Sequence, residues 1–95
     1  MALVVVELMA KEQCVDALRT LIVEALPDTR VYDGCYGVTG FLNEDGRTMA
    51  LHEQWTSKAH HKHYLAWRTE TGALEAAVAL CEGPPSIRCF DQIDV

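Results

Sequence analysis

The sequence predicts an α+β fold of the ferredoxin-like, split βαβ kind, with one antiparallel sheet and helices packed on one face of it. Three observations predict it. Short β-branched runs alternate with stretches of helical period along the chain. Each change of period falls at a turn signal: Pro27, Asp33-Gly34, Asn43-Glu44-Asp45-Gly46 and Gly83-Pro84-Pro85. The two central strand patterns are joined by a short loop, so they must be antiparallel neighbours. The resulting order is β-α-β-β-α(α)-β.

Each element has its own local reason. Leu3 to Met9 is β-branched, too short for a helix core, and nearly continuous in its apolar residues, as expected of a strand covered on both sides. Residues 13 to 26 place Val15, Leu18, Leu21, Ile22, Ala25 and Leu26 on one helical face and Asp16, Arg19, Thr20 and Glu24 on the other, with Pro27 closing the helix. Cys35 to Leu42 reads as a strand loosened by Gly37 and Gly40, which predict a bulge or a close approach. The loop Asn43–Gly46 turns the chain into a returning strand, Thr48 to Trp55. Ser57 is an N-cap for a helix running to about Arg68, interrupted by Thr69 to Gly72. Leu74, Ala77, Val78 and Cys81 mark a further helix, and Ile87 to Ile93 the last strand. The sheet face opposite the helices is expected to be apolar and bare, and pairing with a second copy would bury it, so a homodimer is expected.

Ninety-five residues, nearly half of them apolar, make one domain spanning 1–95 with a real core. The net charge is −6, with only eight Lys and Arg, scattered along the chain. That argues against a nucleic-acid partner and an anionic membrane surface, and favours a neutral, cationic or mostly apolar small molecule. Cys14, Cys35, Cys81 and Cys89 form no C-x-x-C pair and no zinc frame, and read as small core hydrophobes of a reducing, cytoplasmic protein. The apolar start meets Glu7 without a basic leader, and no apolar run is long enough to span a bilayer.

The residues able to carry chemistry gather around His52-Glu53-Gln54-Trp55-Thr56-Ser57 and the helix after it. Alternation puts Met49, Leu51, Glu53 and Trp55 on one sheet face and Ala50, His52 and Gln54 on the other. Trp55 is either a packing anchor, the commoner fate of tryptophan, or a pocket wall. Along the helix, His60, Tyr64 and Trp67 share a face, with His63 beside it; His61 completes a cluster of three histidines in four positions. Such a face suits an aromatic ligand and offers a proton acceptor, and at least one of the histidines must point outward. Glu7 and Glu53 interrupt apolar strands. Half-buried, each would have a raised pKa and serve as a base; exposed, it would pair with Arg88 or meet solvent. His60 and His63, with His52 as a third possible ligand, carry no metal motif. No serine elbow, phosphate loop or dinucleotide fingerprint is present, so neither metal nor nucleotide cofactor is expected.

Taken in order, Glu53-Gln54-Trp55-x-Ser57-x-Ala59-His60 resembles the E-x-W-x-S signature of the antibiotic biosynthesis monooxygenase family, and is most similar to its quinol monooxygenases. Val4-Val5-Val6-Glu7-Leu8, Asp33-Gly34-Cys35-Tyr36-Gly37 and Gly83-Pro84-Pro85-Ser86-Ile87-Arg88-Cys89-Phe90 resemble that family's first strand, the start of its second, and its last strand. The resemblance implies a dimeric α+β barrel, an apolar pocket in each subunit, and oxygenation of quinols or anthrones by O₂ without flavin, haem or metal. It implies that Trp55 lines the pocket and that His60 matches the histidine of quinol-oxidising members. His61 stands where anthrone oxygenases have a tyrosine. The chain departs from anthrone oxygenases at Leu51, where they have asparagine. It departs from haem-degrading relatives at Glu7 and Leu65.

The expected activity is therefore cofactor-independent monooxygenation of a small aromatic or quinol. His60 or His63 would be the base, Tyr64 would orient the substrate oxygen, and Trp55, His61, Trp67, Glu53 and Glu7 would contribute to binding. Two rivals belong to other classes: an isomerase or lyase of a small metabolite using Glu7 or Glu53 as proton shuttle, and a non-catalytic dimeric binding module.

Overall fold

The computed structural model describes residues 1–95. Strands β1 (Ala2–Met9), β2 (Cys35–Leu42), β3 (Thr48–Trp55) and β4 (Ser86–Asp91) form one sheet, and helices α1 (Val15–Arg30), α2 (Lys58–Glu70) and α3 (Ala73–Ala79) cover it. The sheet order is β2-β3-β1-β4 and every neighbouring pair is antiparallel. This is the ferredoxin-like topology expected from the order of elements.

Register decides which side chains meet the helices. Val4 opposes Glu53, Val6 opposes Leu51, and Val6 also opposes Ile87 on β4, so these side chains share one face. That face meets α1 around Leu18, and Leu8, Val38, Met49 and Leu51 close the larger core cluster with it. A smaller cluster gathers Val4, Trp55 and Tyr64 at the other end of the sheet. The predicted irregularity in β2 is present as a register shift between Cys35 and Gly37.

The structure corrects the sequence reading at several points: of the four cysteines read as core residues only Cys81 is buried and Cys89 is exposed, and the last strand ends at Asp91, short of Ile93. Pro27 does not close α1 but lies inside it, and the helix runs on to Arg30. Pro27 sits on the exposed side of the helix, as does Val23, so the carbonyl deprived of its helical donor faces water. The turn beyond Pro27 is held by tertiary bonds: Arg68 donates to the Ala25 carbonyl at 2.7 Å and to Thr29 Oγ1 at 3.0 Å, and Arg30 donates to the Val38 carbonyl at 3.2 Å. The bare sheet face is likewise mixed, not purely apolar. Leu3, Phe41 and Phe90 are exposed there beside His52 and the ion pair Glu7–Arg88 at 3.3 Å. No helix is long and apolar enough to cross a membrane.

Candidate active site

Ser57 sets the start of α2 and, with it, the rotation of the whole helix. Its Oγ accepts the His60 backbone N–H at 3.2 Å, the N-cap bond, and lies 2.7 Å from Nδ1 of the same histidine, at the third helical position. His60 then rests on Gly34, whose φ of 89° no ordinary side chain favours; a Cβ there would lie 2.5 Å from His60 Cδ2. With His60 committed to that loop, the stripe facing the sheet is His61, Tyr64, Leu65 and Arg68, at i, i+3, i+4 and i+7.

Between this stripe and the sheet lies a cleft of ≈ 700 Å³, its open mouth included. Val6, Leu8, Leu51 and Ile87 form its floor, and Leu21, Ile22, Leu26 and Leu74 its sides. Ala25, Ala73 and Ala77 are too short to fill the gap between the helices and the sheet. Five polar side chains enter this aliphatic space: Thr29, Glu53, His61, Tyr64 and Arg68.

The five make two connected groups. Arg68 Nε donates to the Tyr64 hydroxyl at 2.8 Å, and that hydroxyl lies 2.7 Å from Thr29 Oγ1. Thr29 donates its one hydroxyl proton to the Ala25 carbonyl at 3.3 Å, and with that proton used Tyr64 is the donor to Thr29. On the other side, Trp55 Nε1 donates to Glu53 Oε1 at 3.0 Å, and His61 Nε2 is 3.9 Å from the same oxygen, beyond hydrogen-bond reach. Glu53 is 4% exposed and His61 3%. Loss of hydration raises the Glu53 pKa, against the opposing pull of the Trp55 bond and the Arg68 charge, and lowers that of His61. Both groups are thereby pushed toward their uncharged forms.

The predicted site residues divide sharply. Glu53, His61 and Tyr64 meet in the cleft. Trp55 stands behind it with 0% exposure, its indole edge-on to His61 at 5.5 Å and to Tyr32 at 6.3 Å, so it supports the cleft wall and offers no stacking face to a ligand. Trp67 stacks on Tyr32 at 5.3 Å outside the cleft. His60 and His63 line a separate shallow depression with Tyr32 and Asp33. Glu7 is on the opposite sheet face, paired with Arg88, and His52 is on that face too. No three His, Cys, Asp or Glu side chains converge as metal ligands. Sequence reasoning passed over Arg68 and Thr29. Arg68 was accessible as the next member of the His61–Tyr64 stripe, whereas Thr29 gave no local signal.

No curated protein matches the chain in sequence. Its fold is shared with solved structures. One described as an antibiotic biosynthesis monooxygenase superposes with a TM-score of 0.87 at 18% identity, covering 99% of this chain and 100% of the other. Rv0793 of Mycobacterium tuberculosis gives 0.77 at 24% identity, over 99% and 96%. The Streptomyces coelicolor monooxygenase ActVA-Orf6, solved with nanaomycin D, gives 0.81 at 19% identity, over 99% and 88%. A family model described as antibiotic biosynthesis monooxygenase matches residues 1–79, and the chain therefore belongs to the antibiotic biosynthesis monooxygenase family.

Proposed function

We propose that the chain is a monooxygenase that oxidises a small aromatic or quinol-type substrate with O₂ in the cleft between helices and sheet. The observation that carries this reading is a buried imidazole, His61, pushed toward its uncharged form by burial in a largely aliphatic cleft, in a chain of this family. His61 accepts the proton of a bound phenol. The electron-rich anion then passes an electron to O₂, and the two radicals combine at carbon to give a peroxide, which takes up a proton and loses water. For a quinol, one oxygen atom becomes a ring hydroxyl on the resulting quinone. The other leaves as water with two substrate hydrogens. The substrate supplies all the electrons, so no further reductant enters the balance. Burial pushes Glu53 toward its uncharged form, which disfavours a second negative charge beside the anion.

The bare sheet face supports a second part of the reading: two chains pair through it and bury Leu3, Phe41 and Phe90. Sedimentation at micromolar concentration should give a dimer, and a monomer would remove this part alone. For the reaction, an oxygen electrode with a panel of quinols and anthrones should record protein-dependent uptake that His61→Ala abolishes and His63→Ala keeps. The adjacent buried acid and base, Glu53 and His61, also favour a proton-shuttling isomerase on the same site. Solvent deuterium entering a bound metabolite, with no O₂ uptake, would decide for it.

A further inference from the structure

Arg68 is the one cationic side chain among the residues lining the cleft, and no carboxylate pairs with it. Two other arginines, Arg47 and Arg88, pair with Glu82 at 3.2 Å and Glu7 at 3.3 Å. Arg68 instead donates only to neutral oxygens, those of Tyr64, Thr29 and Ala25. These bonds use Nε and Nη2 and lock the guanidinium in place, while Nη1 donates to no protein group. Its planar cation is further held against the rings of Trp67, at 4.6 Å, and Tyr64, at 5.3 Å. Glu53, the only acid facing the cleft, takes its hydrogen bond from Trp55 and forms no ion pair with Arg68, whose charge acts on it only at longer range. The other titratable groups there are His61 and Tyr64, both on α2; α1 and α3 present none. A fixed guanidinium whose Nη1 amino group keeps both its N–H donors free, and which no carboxylate contacts, beside a largely aliphatic space, is arranged to receive an anion.

We infer that Arg68 is the specificity-determining residue of the cleft, and that it selects substrates whose reacting ring carries an acidic oxygen, bound as phenolate or enolate at Nη1. The inference rests on the cleft being the substrate site. It also reverses the expectation drawn from the overall charge of −6, since the field inside the cleft is set by its own lining and not by the chain's total.

A chromogenic phenol tests it. 4-Nitrophenol, whose ionised form absorbs at longer wavelength, is titrated with the wild-type protein at a pH where the free probe is mostly neutral. The bound probe should be ionised. Its affinity should fall about tenfold to a hundredfold in Arg68→Met, with partial recovery in Arg68→Lys. 4-Nitroanisole, which lacks the acidic oxygen, should bind both proteins alike. A bound probe that stays neutral overturns the inference in the wild-type protein, even if Arg68→Met fails to fold. Unchanged affinity in a folded Arg68→Met, or tighter Arg68-dependent binding of 4-nitrobenzoate than of the phenolate, overturns it as well. Ionised binding without O₂ uptake removes the oxygenase reading and keeps this one. O₂ uptake unaffected by Arg68→Met does the reverse.

Discussion

Replacing Trp55 by Phe removes one hydrogen-bond donor and the pyrrole part of a side chain that is 0% exposed. Two costs follow. The smaller ring leaves a partly filled space in the cluster with Val4 and Tyr64, worth about 1–2 kcal/mol for a change of this size. Glu53 Oε1 loses its donor where water cannot replace it, worth about 1–3 kcal/mol. The sum, about 2–5 kcal/mol, is a large share of the roughly 5–14 kcal/mol that a domain of this length holds in total. A double-mutant cycle separates the two costs. In a Glu53→Met background the acceptor is gone and the space cost remains, so the coupling energy should be about 1–3 kcal/mol. Urea unfolding followed by far-UV circular dichroism measures all four proteins. Coupling below about 0.5 kcal/mol, the level at which independent sites simply add, would refute the claim that Trp55 holds Glu53.

Two further predictions use the same geometry. The Glu53 pKa is raised above its ordinary 4.5, so its contribution to stability is full below that value and is lost as pH climbs through the folded pKa. Glu53→Gln still accepts from Trp55 and does not ionise; its melting temperature should rise relative to wild type as pH increases from about 4 to 8, and a pH-independent difference would contradict the burial argument. His61 opposes this trend, because its lowered pKa adds stability above 6.5 that is lost as pH falls. At Gly34, an alanine would have to hold φ near 89° and displace His60. The strain alone is worth about 1–2 kcal/mol, so thermal melts of Gly34→Ala should fall by about 5–15 °C, whereas an unchanged melt would mean that His60 does not rest on this loop.

Much of this fold was readable because its punctuation is local. Asn43–Gly46, Ser57 and the Gly83-Pro84-Pro85 stop each act through their own neighbours, and the alternation in β3 groups Glu53 and Trp55 on one sheet face, which the structure turns toward the helices. The failures share a different cause. A helix turns about 100° per residue, so whether His60 or His61 faces the sheet depends on how α2 seats on Gly34, a contact made across the fold. Pro27 is tolerated because Arg68 holds the turn beyond it, through a bond to Thr29 spanning 39 positions. The same bond places Thr29 and Arg68 at the cleft. Trp55 stands out in the sequence as a large side chain at a strand end, but its full burial follows from Tyr32 and His61 closing over it.

The most direct test of the central claim follows the oxygen atoms. Protein stripped of metals and small molecules is given a quinol that supports uptake under ¹⁸O₂, and the product is weighed by mass spectrometry. One labelled atom should appear in each product molecule, and the labelled product should vanish in His61→Ala. Product oxygen drawn only from water, or O₂ reduced to peroxide with no label in the product, would contradict the account.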